Sequence, residues 1–183
     1  MCIRDRYTVG TLVGEIGRLM TTRNFIVTDA GGQRIAAAST LWAMIDVKTR
    51  QPLDLRDNVD YSRALLAIPC PIDKPAKIGR IEGVPCDSRR VRYSDIDFNQ
   101  HTNSMKYIQW MLDALPLEKL TGCRMKRLDV NFVHETRYGQ QLVVCCEYGT
   151  DRDRFEIRFE DGTAACKAAI RWETSDERSN QTA

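Results

Sequence analysis

Histidine is scarce in this sequence, with two residues among 183, and none of the seven cysteines forms a Cys-x-x-Cys pair. Structural zinc sites are usually built from closely spaced cysteine and histidine ligands, so we expect no such site here. The odd number of cysteines, without the spacing of a disulfide framework, indicates reduced and partly buried thiols. The sequence therefore predicts neither a metal nor any other cofactor.

Long apolar runs are also missing. Runs such as Leu142–Cys146 are far shorter than the roughly 20 residues of a membrane-spanning helix. The opening Met1–Tyr7 lacks the apolar core of a signal peptide, so we expect a cytoplasmic protein without a membrane span. Lys and Arg number 27 against 25 for Asp and Glu, which argues against a nucleic-acid partner. We interpret the basic clusters Arg89–Arg92 and Arg124–Arg127 as solvated strand ends, with a docking patch for an acidic protein as the alternative.

Proline divides the chain into regions. Five of the six prolines lie within residues 51–86, and proline cannot donate a hydrogen bond inside a sheet. This stretch is therefore predicted to be a linker between a strand-rich region, residues 1–50, and a second folded region, residues 87–173. The polar tail 174–183 is predicted to be disordered.

The first region and the linker contain few elements. Strands are predicted at Arg23–Val27 and Ile35–Ile45, separated by the turn sequence Asp29–Gly32. A short helical turn is predicted in the linker around Leu53–Tyr61.

The second region has a clearer pattern. After a short strand at Arg89–Tyr93, apolar residues recur at helical spacing until Pro116 ends the run: Met105, Ile108, Met111, Leu112 and Leu115. Tyr107 and Trp110 widen this apolar surface beyond one stripe, as expected of a helix enclosed by a sheet. Four strand-like runs follow, at Arg124–Thr136, Gln141–Tyr148, Arg154–Glu160 and Ala164–Glu173. One helix followed by antiparallel strands predicts an α+β hotdog fold, in which an antiparallel sheet wraps around a central helix.

Four polar residues stand at alternate positions just before this helix: Asp95, Asp97, Asn99 and His101. In an extended segment their side chains would project to one side. A carboxylate can act as nucleophile or base, an imidazole can activate water, and N–H groups near a helix start at Asn103 can bind an oxyanion. The same residue types also cap helices and form turns, so the spacing alone leaves both interpretations open.

The longer stretch from Ser94 to Pro116 resembles the signature of the acyl-ACP thioesterase family. That signature is S-D-x-D-x-N-x-H-x-N, followed by a helix with Y-I-x-W that ends near a proline. This sequence matches it at eleven positions: Ser94, Asp95, Asp97, Asn99, His101, Asn103, Lys106, Tyr107, Ile108, Trp110 and Pro116. The family's later Y-x-x-E-C segment is similar to Phe132–Thr136, which puts Glu135 at the position of the catalytic glutamate. Thr136 stands where many members have cysteine, so no thiol nucleophile is available at that position.

The resemblance extends into the first region and covers about Val9 to Trp172. Three further segments are similar to family landmarks: Arg23–Phe25, Ser39–Trp42 and Ile45–Pro52. The family carries two hotdogs in tandem, the first shaping the acyl pocket and the second carrying catalysis. Residues 1–50 are thus expected to be a partial N-terminal hotdog, lacking its leading strand and central helix, and residues 87–173 the catalytic hotdog. Without that helix, an apolar face including some of Leu41, Ala43 and Ile45 would be exposed.

The resemblance implies hydrolysis of fatty acyl-ACP to free fatty acid and ACP, ending fatty acid synthesis. Asp97, Asn99, His101 and Glu135 are the expected catalytic residues, and acyl carrier protein is the expected partner, with a homodimer as a further candidate assembly. Two alternatives stay open: an acyl-CoA thioesterase of the hotdog superfamily, and a non-catalytic acyl-binding fragment. A hotdog hydratase is disfavoured, because its aspartate and histidine usually sit in a D-x-N-P-x-H arrangement, whereas only Gln100 separates Asn99 from His101.

Overall fold

The chain folds into two compact units. The computed structural model describes residues 5–58 and 69–173. The first unit comprises Met1–Pro75 and the second Ala76–Ala183. No helix in these described residues combines the length and apolar character needed to cross a membrane.

The first unit contains a three-stranded antiparallel sheet of order β1-β2-β3, formed by Thr8–Ile16, Thr21–Thr28 and Arg34–Trp42. The turn between β2 and β3 forms because Asp29 Oδ1 accepts the N–H groups of Gly31 and Gln33, both at 2.9 Å. Gly32 adopts a φ of +82°, a conformation that glycine reaches without strain. A short helix α1, Leu55–Asn58, lies within the turn predicted for the linker. Leu53 and Asp54 are not helical, and residues 59–61 fall outside the described residues.

Apolar side chains are exposed on this first unit. Leu41, Trp42 and Ile45 are each about half exposed, and Ala43 is exposed as well. The exposure of Leu41, Ala43 and Ile45 agrees with the exposure that was expected for these side chains. The few buried side chains in β2 are instead polar, at Thr22 and Asn24.

The second unit contains a five-stranded antiparallel sheet of order β4-β6-β7-β8-β5. Its strands are β4 Val84–Arg90, β5 Met125–Phe132, β6 Gln141–Glu147, β7 Arg152–Phe159 and β8 Ala164–Trp172. Apolar residues at alternate positions point to one face, as in Leu142 and Val144 of β6 or Phe155 and Ile157 of β7, all 0% exposed. This face forms the inner wall of the core.

The central helix α2, Ser104–Asp113, fills that core. Tyr107, Trp110 and Met111 are buried in one cluster with the inner face of the sheet, and Leu115 follows just beyond the helix. Asn103 caps the helix, its Oδ1 accepting the Met105 N–H at 2.9 Å. A single helix buried against an antiparallel sheet confirms the predicted α+β hotdog class. Met105 was predicted to face the sheet, but it is 63% exposed because it lies in the first turn, on the outer side.

Several predicted boundaries were wrong. The predicted strand Arg89–Tyr93 is really β4, which starts at Val84 and ends at Arg90, while Tyr93–Asp95 form a 3₁₀ turn. Pro85 is tolerated inside β4 because this strand lies at the sheet edge. The predicted strand Arg124–Thr136 ends at Phe132 in the structure. A short helix α3, Leu117–Gly122, follows Pro116 and was not predicted.

The cysteines are not all reduced, contrary to expectation. Cys86 and Cys146 form a disulfide between β4 and β6, with Cα atoms 6.1 Å apart. Free thiols are found at Cys70, Cys123, Cys145 and Cys166 among the described residues. Burial raises the pKa of Cys166 to about 12, so this thiol stays neutral and packs as a small apolar side chain.

Glu156 is expected to make the stability of the second unit depend on pH. Its side chain is buried, and its Oε1 accepts a hydrogen bond from Arg158 Nε at 2.7 Å while Lys167 Nζ lies 3.4 Å from Oε2. Burial alone would raise the pKa of Glu156, but Arg158 and Lys167 outweigh it and lower the pKa below 4.5. Its contribution to stability is therefore present above that pH and lost as pH falls through the lowered value.

We expect the acid sensitivity to show in unfolding measurements. Glu156→Gln should be less stable than the wild type at neutral pH and should lose less stability on acidification to about pH 3. Glu160→Gln, at an exposed position just after the same strand, is the matched control and should follow the wild-type curve. Urea unfolding at several pH values measures the free energy of unfolding of the wild type and of the two variants. Parallel pH curves for Glu156→Gln and the wild type would contradict the prediction.

Candidate active site

Asp97 and His101 lie opposite each other in a tight hairpin. Ile96 and Thr102 form an antiparallel bridge, and the Asp97 N–H donates to the His101 carbonyl at 2.8 Å. Gln100 closes the turn: its N–H donates a hydrogen bond to the Asp97 carbonyl, and its backbone has a positive φ of 65°. The segment is therefore a hairpin and not the extended chain that would place alternate side chains on one side. Asp97 and His101 come together because they face each other across a turn, rather than because alternate side chains share one side.

The Asp97 carboxylate shapes this hairpin from within. Its Oδ1 accepts the N–H of Asn99 at 2.8 Å and of His101 at 3.3 Å. Short polar side chains stabilise turns in this way. One oxygen of Asp97 is thus engaged with the backbone, and any chemistry at this residue is expected to use Oδ2.

His101 and Glu135 are brought together from distant parts of the sequence. His101 Nε2 lies 3.2 Å from Glu135 Oε2, and the His101 side chain is partly buried while Glu135 is half exposed. The Thr102 N–H donates to the Thr136 carbonyl at 2.8 Å, so the residues that follow His101 and Glu135 are joined through their backbones. A carboxylate accepts hydrogen bonds, so a neutral His101 carries its proton on Nε2 and has Nδ1 left as an acceptor.

Two other predicted polar residues take different positions. Asp95 is buried, and its Oδ2 accepts the Arg92 N–H at 2.8 Å, so it stabilises the 3₁₀ turn instead of joining the hairpin. Asn99 lies at the exposed tip of the hairpin. His134, next to Glu135, bonds through Nδ1 to the Ala164 carbonyl at 2.8 Å, consistent with a structural role.

The backbone N–H groups near Asn103 are already engaged. The Asn103 N–H donates to the Asp95 carbonyl and the Lys106 N–H to the Asn103 carbonyl, both at 2.8 Å. The Met105 N–H is taken by the Asn103 side chain. The expectation that these three groups bind an oxyanion is therefore not supported.

Exposed apolar residues lie close in sequence to Asp97 and to Glu135. Phe98 is 93% exposed beside Asp97, and exposed Phe132, Val133 and Tyr138 flank Glu135. Large exposed apolar side chains clustered near polar groups are typical of ligand-binding surfaces. The His101 imidazole thus contacts the Glu135 carboxylate, and the same hairpin holds the Asp97 carboxylate.

Two family models match the chain. Residues 3–61 match the acyl-ACP thioesterase N-terminal domain, and residues 82–174 match the acyl-ACP thioesterase C-terminal domain. The chain is also similar to the chloroplastic palmitoyl-acyl carrier protein thioesterase of Cuphea hookeriana, with 27% identity over 92% of this chain and 44% of the relative. It spans less than half the length of this curated relative.

Solved structures give the same result. The chain is similar to an acyl-ACP thioesterase from Bacteroides thetaiotaomicron, with 32% identity and a TM-score of 0.86, covering 92% of this chain and 69% of that one. The 12:0-ACP thioesterase from Umbellularia californica shares the fold, with 19% identity and a TM-score of 0.76 over 92% of this chain and 66% of that one. On the two domain matches and the Bacteroides structure, the chain belongs to the acyl-ACP thioesterase family.

Proposed function

We propose that this protein hydrolyses fatty acyl-ACP to free fatty acid and ACP, the reaction that ends fatty acid synthesis. The observation that carries the proposal is the contact between His101 and Glu135, 3.2 Å apart, beside the hairpin that holds Asp97. Acid, base and nucleophile groups within one small site are what thioester hydrolysis needs. The exposed apolar residues close in sequence to Asp97 and Glu135 suit a fatty acyl chain.

Each polar residue has a role in this proposal. Asp97 acts through Oδ2 in one of two ways. As a nucleophile it attacks the acyl carbon, which expels the thiolate and leaves a mixed anhydride, and water then breaks that anhydride bond and restores the carboxylate. As a base it takes a proton from the water that attacks the thioester directly. Glu135 orients the His101 ring through Nε2, and His101 Nδ1 accepts a hydrogen bond from the hydrolytic water, which positions and polarises it. Asn99, at the tip of the hairpin, orients the bound reactants. The water oxygen ends bonded to the acyl carbon, the C–S bond breaks, and the sulfur leaves with a proton as thiol.

A cleft with a small excess of basic side chains, lined in part by Ser94 and Asp95 just before the hairpin, supports a protein carrier. It has a volume of about 380 Å³ and combines four basic side chains with three carboxylates: Arg89, Arg90, Arg92, Lys106, Asp87, Asp95 and Asp113. Arg89 contacts Asp87 and Asp113, and Lys106 Nζ lies 3.5 Å from Asp95. We therefore propose that Arg90 and Arg92 contribute most to attracting an acidic carrier protein.

Matched substrates test the carrier directly. Reversing both charges, with Arg90→Glu and Arg92→Glu together, should raise KM for acyl-ACP roughly tenfold or more, because electrostatic steering is lost. KM for the same acyl chain on CoA should change much less. Lys77→Glu, at an exposed position outside both basic clusters, is the control and should leave both values unchanged.

The competing functions give different results in the same assay. A wild-type preference for acyl-CoA, or equal KM changes on both substrates, would favour an acyl-CoA thioesterase. Binding of acyl-ACP without release of fatty acid would favour the acyl-binding alternative.

A further inference from the structure

Three buried hydroxyl groups form a network, and two of them belong to the residues that follow His101 and Glu135. Thr102, Tyr107 and Thr136 are 6%, 4% and 0% exposed. Thr136 Oγ1 donates to Thr102 Oγ1 at 2.6 Å and lies 2.8 Å from Tyr107 Oη. The Thr136 N–H also donates to Tyr107 Oη, at 3.1 Å.

Each hydroxyl group has one proton to donate, which determines the direction of the hydrogen bonds in this network. Thr136 gives its hydroxyl proton to Thr102, so the proton between Tyr107 and Thr136 comes from Tyr107. The bonds then run in one direction, from the Thr136 N–H to Tyr107, back to the Thr136 hydroxyl, and on to Thr102. Burial raises the pKa of Tyr107, so the phenol keeps the proton that it must donate.

The network ties together three parts of the second unit. Thr102 directly follows His101, Thr136 directly follows Glu135, and Tyr107 lies on the central helix within the core. The Thr102 N–H bond to the Thr136 carbonyl reinforces the link. A buried, hydrogen-bonded network of this kind holds its members in fixed positions, because breaking any bond leaves an unsatisfied buried group. The helix therefore fixes the spacing of the two backbone segments that carry the pair.

We propose that Thr102, Tyr107 and Thr136 are positioning residues that set the contact between His101 Nε2 and Glu135 Oε2. They act through the backbone and do not touch the reacting atoms. The catalytic importance of that contact rests on the proposed function, whereas the positioning itself does not.

The positioning can be measured without any activity. The Glu135→Gln variant removes the carboxylate partner of His101, and its NMR spectrum shows where the His101 ring resonances lie without that partner. We expect Thr136→Val, which replaces the hydroxyl with a methyl group of similar size, to move the His101 ring resonances in NMR spectra in the same direction as Glu135→Gln. Thr136→Ser keeps the hydroxyl and should restore the wild-type resonances. Wild-type His101 resonances in folded Thr136→Val would overturn the proposal.

Two further variants control for folding. Tyr107→Phe removes only one oxygen and is judged by the same criterion if Thr136→Val does not fold. Tyr148→Phe removes a different hydroxyl, which donates to the Ala114 carbonyl at the far end of the helix, and should leave the His101 resonances in place. A His101 shift in Tyr148→Phe as large as in Tyr107→Phe would also overturn the proposal, since any loosening of the helix would then have the same effect.

Kinetics add a second readout if the wild type is active. Thr136→Val should lower kcat roughly 10- to 100-fold with little change in KM, because small displacements of reacting groups are costly. Thr136→Ser should recover most of that loss. An inactive wild type would refute the proposed function, while the NMR comparison would still decide the positioning.

Discussion

Asp97→Asn is expected to lower kcat/KM for acyl-ACP hydrolysis by roughly 10²- to 10⁴-fold without unfolding the protein. The asparagine side chain retains an Oδ1 that can accept the N–H groups of Asn99 and His101, so the hairpin should persist. Only the charge and basicity of the carboxylate are lost. Steady-state kinetics of fatty acid release, together with thermal unfolding, separate the loss of chemistry from the loss of structure.

The first unit offers a matched control for this substitution. Asp29 also accepts two backbone N–H groups through Oδ1, those of Gly31 and Gln33, but it lies in the turn between β2 and β3. Asp29→Asn should therefore leave hydrolysis unchanged. If Asp97→Asn were as active as Asp29→Asn, neither a nucleophilic nor a basic role for Asp97 could be maintained.

Asp153→Ala is expected to destabilise the second unit by about 3–5 kcal/mol, the usual cost of removing one partner from a buried ion pair. Asp153 is 0% exposed and accepts three hydrogen bonds, from Lys119 Nζ at 2.6 Å, Trp172 Nε1 at 2.7 Å and the Gly149 N–H at 2.9 Å. Alanine would leave all three donors without this acceptor, and two of them belong to groups that are mostly buried.

Urea unfolding measures the loss of stability in Asp153→Ala, and a variant of the neighbouring Asp151 is the control. Asp151 lies just before β7 and has an exposed side chain, and Asp151→Ala should change the free energy of unfolding by no more than about 0.5 kcal/mol. Equal stabilities of the two variants would show that the buried carboxylate contributes little.

The central helix was predictable because local signals agree. Asn103 caps it, apolar residues recur at helical spacing, and Pro116 follows its end. The edge strand β4 was placed too late in the chain, because Pro85 argues against a strand unless its position at the sheet edge is known. The strand β1 and the helix α3 were missed, since neither carries a strong periodic pattern.

The sequence singled out Asp97, His101 and Glu135 as candidates, but it did not predict the geometry that brings His101 and Glu135 into contact. The spacing of Asp97 and His101 suggested an extended segment, whereas Gln100, in its positive-φ turn, folds it into a hairpin. The partners of Thr102 and Thr136 were missed, because hydroxyl contacts between residues 34 positions apart leave no local sequence signal. The cytoplasmic location, the homodimer and the catalytic roles stay predictions.

Mass spectrometry of the fatty acid released from purified fatty acyl-ACP is the most direct test of the central claim. We expect the wild-type protein to release free acid over many turnovers, and Asp97→Asn to release almost none under the same conditions. Acyl-ACP that binds the wild-type protein but stays intact would contradict the claim and would identify the chain as an acyl-binding protein without hydrolytic activity.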